Sequence, residues 1–108
     1  MSKRNNIKDY SEWVEDMWIS QKSKDSLTIA TLGLAGETGE VMEVLKKRLR
    51  DDKFDVENFK KEMGDVIYYW CKILNHFEID PREILDINVT KIEDRKARNV
   101  QKGSGDNR

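Results

Sequence analysis

The chain has 108 residues, room for a single small domain with a modest core. Its 20 Lys and Arg against 21 Asp and Glu leave a formal charge of −1, which excludes the basic footprint that a nucleic-acid polymer requires. One cysteine, Cys71, excludes an intramolecular disulfide; with no apolar run suited to a signal peptide or a membrane span, a cytoplasmic protein away from membranes is expected.

The segment Ile7 to Gln21 places Tyr10, Trp13, Val14 and Met17 at helical spacing behind two possible N-caps, Asn5 and Asn6, and predicts a first amphipathic helix. After a polar break at Lys22 to Asp25, Ser26 is the expected cap of a long second helix reaching about Arg50. Gly33, Gly36 and Gly39 lie inside it, each costing about 1 kcal/mol against Ala. Spaced by three, they either bare the backbone to a close neighbour or ligand, or mark a kink before a shorter acidic helix.

Arg50 to Asp55 reads as a charged turn, with Asp55 capping a third helix from Val56 to about Phe77. Cys71, on that helix among apolar neighbours, is read as packing, and His76 as a helix-end residue. Asp80-Pro81-Arg82-Glu83 is a strong start signal for a fourth helix, Pro81 to about Arg98. No alternating strand pattern survives, so the fold class is all-α, a four-helix bundle with a central helical hairpin. Residues 1–108 form one domain, with 1–6 and 100–108 as flexible termini.

The hairpin carries the chemistry. Glu37 with Glu40, and Glu62 with Asp65, are spaced i, i+3, which puts each pair on one helix face. At about 100° per residue, Glu37 falls among Ala30, Val41 and Val44, and Glu62 among Phe59, Val66, Tyr69 and Ile73. A carboxylate inside an apolar stripe is costly unless it is paired, hydrogen-bonded or bound to a metal. The pairs lie roughly 12 residues before and roughly 8 after the turn, so at about 1.5 Å per residue they meet near one level. Four facing carboxylates with no Cys or His nearby suit Mg²⁺ or Mn²⁺; ordinary solvated helix charges are the plain alternative. On the fourth helix Asn88, Lys91 and Arg95 share a face that could bind phosphate oxygens, or could simply be a solvated charged face.

These residues carry a resemblance: Leu32-Gly-Leu-Ala-Gly-Glu-Thr-Gly-Glu40, then Glu62-Met-Gly-Asp65 with Val66 and Tyr69, then Asn88-x-x-Lys91 and the closing Lys102-Gly-Ser-Gly-Asp-Asn-Arg108. The chain resembles the all-α nucleoside triphosphate pyrophosphohydrolases, in particular the small MazG-like proteins. The resemblance implies a helical bundle that binds Mg²⁺ through Glu37, Glu40, Glu62 and Asp65, the catalytic acids. It implies at least a homodimer, dimer or tetramer, and hydrolysis of nucleoside or deoxynucleoside triphosphates to the monophosphate and pyrophosphate, a nucleotide-pool housecleaning activity. Asn88 and Lys91 become phosphate contacts. Gly36 stands where many members carry a further Glu.

Other classes compete. A di-iron carboxylate bundle needs Glu-x-x-His on two helices, and His76 has Ile73 three residues before it, so that reading fails. A non-enzymatic interaction module would instead pair the acids with Lys46, Lys47, Arg48 or Arg50 of another subunit. Trp13, Trp18, Tyr68 and Trp70 could stack on a base, although aromatics at helical spacing more often form core.

Overall fold

The computed structural model describes residues 5–18 and 24–99. Among these, four helices and no strand occur: α1 (Ile7–Met17), α2 (Ser26–Asp51), α3 (Val56–His76) and α4 (Pro81–Ala97). The all-α expectation holds, and none of the four helices is long and apolar enough to cross a membrane. The tail expected from residue 100 lies outside the described residues.

Local signals explain most of the boundaries. Asn6 caps α1 by accepting from the Asp9 backbone N–H at 2.8 Å. Asp55 caps α3 through the Asn58 N–H at 3.1 Å, and Asp80 caps α4 through the Arg82 N–H at 2.9 Å, with Pro81 in the first position. The Arg82 guanidinium beside Asp80 holds its carboxyl down at about 2. At the far end of α2, Asp52 turns left-handed (φ 55°) and its N–H closes on the Arg48 carbonyl at 3.0 Å, which folds α3 back along α2.

Two expectations are corrected. The first helix stops at Met17 and not at Gln21, because Trp18 turns extended (ψ 111°). Ser26 is not the cap of α2 but its first residue; Asp25 takes the cap position, and the Ser26 hydroxyl accepts from the Trp18 indole N–H at 3.2 Å. That bond satisfies a buried donor the sequence left unassigned. α2 runs unbroken through its glycines, so the kink is absent.

The main packing is α2 on α3, with α1 lying across α3 and α4 against α1. Val14, Ala30, Val41, Val44 and Cys71, with Trp18, form a small buried core. Burial pushes the Cys71 thiol up to about 11, consistent with its packing role. α1 is tied to α3 by polar groups as well. The buried Lys72 ammonium donates to both Glu15 carboxylate oxygens at 2.7 and 3.0 Å and lies 5.2 Å from the centre of the Trp18 ring, while the Asn75 amide donates to the Ser11 carbonyl at 2.9 Å.

Candidate active site

The hairpin brings three of the four acids together. Glu37 of α2 and Glu62 and Asp65 of α3 each offer a carboxylate oxygen within 4.8 Å of the others. The antiparallel return of α3 sets Glu62 and Asp65 level with Glu37, as the residue count from the turn requires. Glu40, one turn further along α2, is exposed and outside that triad, although its charge acts on Glu37.

The cluster is electrostatically frustrated. Glu37 is half-buried, and its carboxyl is pushed up to about 7, first by the hydrogen bond it shares with Glu62, then by burial, then by the charges of Asp65, Glu62 and Glu40. One oxygen of Glu62, Oε2, is buried with no hydrogen-bond partner. A buried acceptor left unsatisfied costs about 1–3 kcal/mol unless a cation or proton meets it. Three converging hard oxygen donors, one of them from a carboxylate with an unsatisfied buried oxygen, fit a small divalent ion, and they fit Zn²⁺ or iron poorly because no His or Cys is in the group.

Among the described residues, no Lys or Arg of the hairpin closes an ion pair with these acids. Lys46 is bound to Glu43 at 3.0 Å and Arg50 to Asp51 at 2.8 Å. The fourth-helix residues are placed differently from the acids: Asn88 is exposed, Lys91 half-buried and Arg95 buried, on a helix that packs against α1 and makes no comparable packing with α2 or α3. Arg95 therefore departs from a uniformly solvated charged face.

Known proteins match this chain over most of its length. The MazG nucleotide pyrophosphohydrolase domain matches residues 25–100, which span α2, α3 and α4. The chain belongs to the MazG family. A curated relative, the Gene 37 protein of Mycobacterium phage L5, is 35% identical over 91 residues, covering 80% of each chain. No solved structure matches. The MazG domain carries nucleotide pyrophosphohydrolase activity in general, and both acidic pairs of the hairpin fall inside the matched region.

Sequence reading missed the Lys72–Glu15 pair. The signal was available: Lys72 is flanked by Tyr68, Tyr69, Trp70, Cys71 and Ile73, on the side of α3 that also presents Asn75 to α1. A cation inside an aromatic and apolar run needs a buried partner, yet nothing in the spacing names Glu15, 57 residues earlier. The aromatics behave as core: Trp18 is buried and packs edge-on against Tyr69, and Trp13 packs edge-on against Tyr68.

Proposed function

We propose that this MazG-family chain is a Mg²⁺-dependent hydrolase that converts nucleoside or deoxynucleoside triphosphates to the monophosphate and pyrophosphate. The observation that carries the reading is the convergence of Glu37, Glu62 and Asp65, together with a buried oxygen of Glu62, Oε2, that has no hydrogen-bond partner. These three carboxylates would hold Mg²⁺, or Mn²⁺ in its place, with Glu40 completing the set at the edge of the cluster. When bound, the ion supplies charge neutralisation for the triphosphate and Lewis-acid polarisation of its phosphoryl oxygens.

The chain's own groups do the rest. Water attacks the α-phosphorus, the bond from that phosphorus to the bridging oxygen breaks, and pyrophosphate leaves with the electron pair. A carboxylate of this cluster accepts the proton that the water releases. The hairpin holds these groups on two rigid helices, which favours a fixed geometry over one assembled from loops.

The working form is a homodimer or larger. Among the described residues a handful of apolar side chains are buried, whereas Leu32, Met42 and Leu49 on α2 and Leu85, Ile87, Val89 and Ile92 on α4 are exposed. Asn88 and Lys91 would then contact the substrate phosphates from the α4 of a neighbouring copy, since α4 lies against α1 in its own chain; Arg95, expected on the same face, is buried within its own chain. The cytoplasm, where nucleotide pools reside, is the compartment this reading requires.

A panel of nucleoside and deoxynucleoside triphosphates assayed for pyrophosphate release with and without Mg²⁺ tests the reading. Release that depends on Mg²⁺ and is lost in Glu62→Gln supports it; no release from any triphosphate at millimolar Mg²⁺ sinks it.

A further inference from the structure

Beside the acids, the groove between α2 and α3 continues toward the hairpin turn as a cavity of about 190 Å³. It begins at Glu40 and is floored by Val44; Lys47 and Lys53 stand along it, and Asn58 closes it from α3. Lys47 is seven residues after Glu40, two turns along the same face of α2, and Asn58 is one turn before Glu62 on α3. The cavity is therefore the direct continuation of the acidic cluster.

Its charges are unevenly committed. Among the acids that line it, Glu43 is bound to Lys46 and Asp51 to Arg50, while Asp55 accepts from the Asn58 N–H to cap α3. Lys47 acts on Glu43 and Asp51 only at longer range, and among the described residues neither Lys47 nor Lys53 closes an ion pair or a hydrogen bond. Two exposed ammonium groups thus stand in a groove where three of the four lining carboxylates already have partners, the fourth being Glu40 at the end next to the acidic cluster.

Size and chemistry select the ligand. Pockets that enclose a whole drug-sized ligand run to about 300–1,000 Å³, so this one takes a fragment. Its lining is polar apart from Val44 and offers no aromatic face, which disfavours a base. A triphosphate bound at the acids carries more negative charge than one divalent ion neutralises, and the surplus sits on its outer phosphates. Ammonium groups act on such oxygens as point charges with charge-assisted hydrogen bonds.

We propose that the groove between Glu40 and the hairpin turn is the subsite for the two terminal phosphates of the substrate, with Lys47 and Lys53 as the cations that hold them and retain the pyrophosphate product. The proposal rests on the reading of the hairpin acids as the hydrolytic centre, and it fixes the direction of the triphosphate: terminal phosphates toward the turn, nucleoside away from it.

The test is calorimetric titration of inorganic pyrophosphate, in the presence of Mg²⁺, into the full chain and into Lys47→Gln, Lys53→Gln and the double variant. Each single substitution is expected to weaken binding about tenfold, equivalent to about 1.4 kcal/mol, and the double variant further. Binding of a nucleoside monophosphate should be unchanged, and Lys60→Gln, whose side chain pairs with Glu57 outside the groove, should behave as wild type. Circular dichroism should show folded helices throughout, because both lysines are exposed. Pyrophosphate binding that is absent, or equal in the wild type and the double variant, overturns the subsite, as does an equal loss of monophosphate affinity. Lysine-dependent pyrophosphate binding by a protein that hydrolyses no triphosphate would uphold the subsite and sink the hydrolase reading instead.

Discussion

The ring of Tyr69 on α3 lies directly on the backbone of Gly33 on α2: a Cβ built at Gly33 would stand 2.6 Å from Tyr69 Cδ1 and Cζ. Gly36, Gly39 and Gly64 face open space instead. Of the three glycines in α2, Gly33 is thus the one whose missing side chain sets how closely the hairpin packs. Tyr69 cannot swing aside freely, because Trp18 and Tyr68 meet it edge-on with ring centres 6.1 and 5.5 Å away. Glu37 is one turn beyond Gly33, and Asp65 and Glu62 are one and two turns before Tyr69, so this contact helps fix the level at which the acids meet.

Gly33→Ala should therefore destabilise the protein by about 1–2 kcal/mol, the overpacking cost outweighing the helix-propensity gain of about 1 kcal/mol. Gly36→Ala, with space to spare, should gain up to about 1 kcal/mol. Urea titrations of the two variants decide the matter; the same sign in both would show that the ring does not wedge the hairpin.

Glu37 links stability to pH and to metal. Its carboxyl ordinarily titrates at 4.5 and in the fold is pushed up to about 7 by Glu62, burial and the neighbouring charges. Between these values the folded chain holds a proton that the unfolded chain releases, so this contribution is fully present below 4.5 and is lost as pH rises through about 7. In metal-free protein, Tm should fall from pH 5 to 8 more steeply in wild type than in Glu37→Gln. Mg²⁺ competes with that proton, so its rise in Tm should be larger at pH 8 than at pH 6 and should vanish in Glu62→Gln. Thermal scans at the two pH values that show no response to millimolar Mg²⁺ or Mn²⁺ would dismiss the metal site.

The Lys72–Glu15 pair predicts an asymmetry. Lys72 is buried (side chain 4% exposed), whereas Glu15 reaches solvent (41%). Removing Glu15 strands an ammonium group in the interior, and Glu15→Ala should cost about 3 kcal/mol. Lys72→Met leaves a carboxylate that water can solvate and keeps the volume filled, so it should cost no more than about 1 kcal/mol. Equal losses in chemical denaturation would show that the pair acts by packing alone.

On α4, Lys91→Ala and Asn88→Ala should each lower kcat/KM for a triphosphate tenfold or more, about 1.4 kcal/mol, with folding intact. Lys96→Ala, on another side of that helix, should change nothing beyond about 0.5 kcal/mol of stability. Steady-state kinetics of the three variants gives the answer; equal activity in all three takes α4 out of the active site.

The helices, their caps at Asn6, Asp55 and Asp80, and the two acidic pairs were legible in the sequence because each depends on neighbours within about one turn: capping chemistry, proline placement and the i, i+3 rule. The level at which the pairs meet also followed, since a short turn and a fixed rise per residue leave an antiparallel hairpin little freedom. What the sequence could not decide depends on partners distant along the chain. Glu15 for Lys72, Trp18 for Ser26 and Tyr69 for Gly33 are matched only once α1 lies across α3 and α3 has folded back on α2. The split among the four acids is of the same kind: spacing treats Glu40 as the equal of Glu37, but a helix turn moves Glu40 to the rim, while Glu37, Glu62 and Asp65 share one half-shielded space and the protons that go with it.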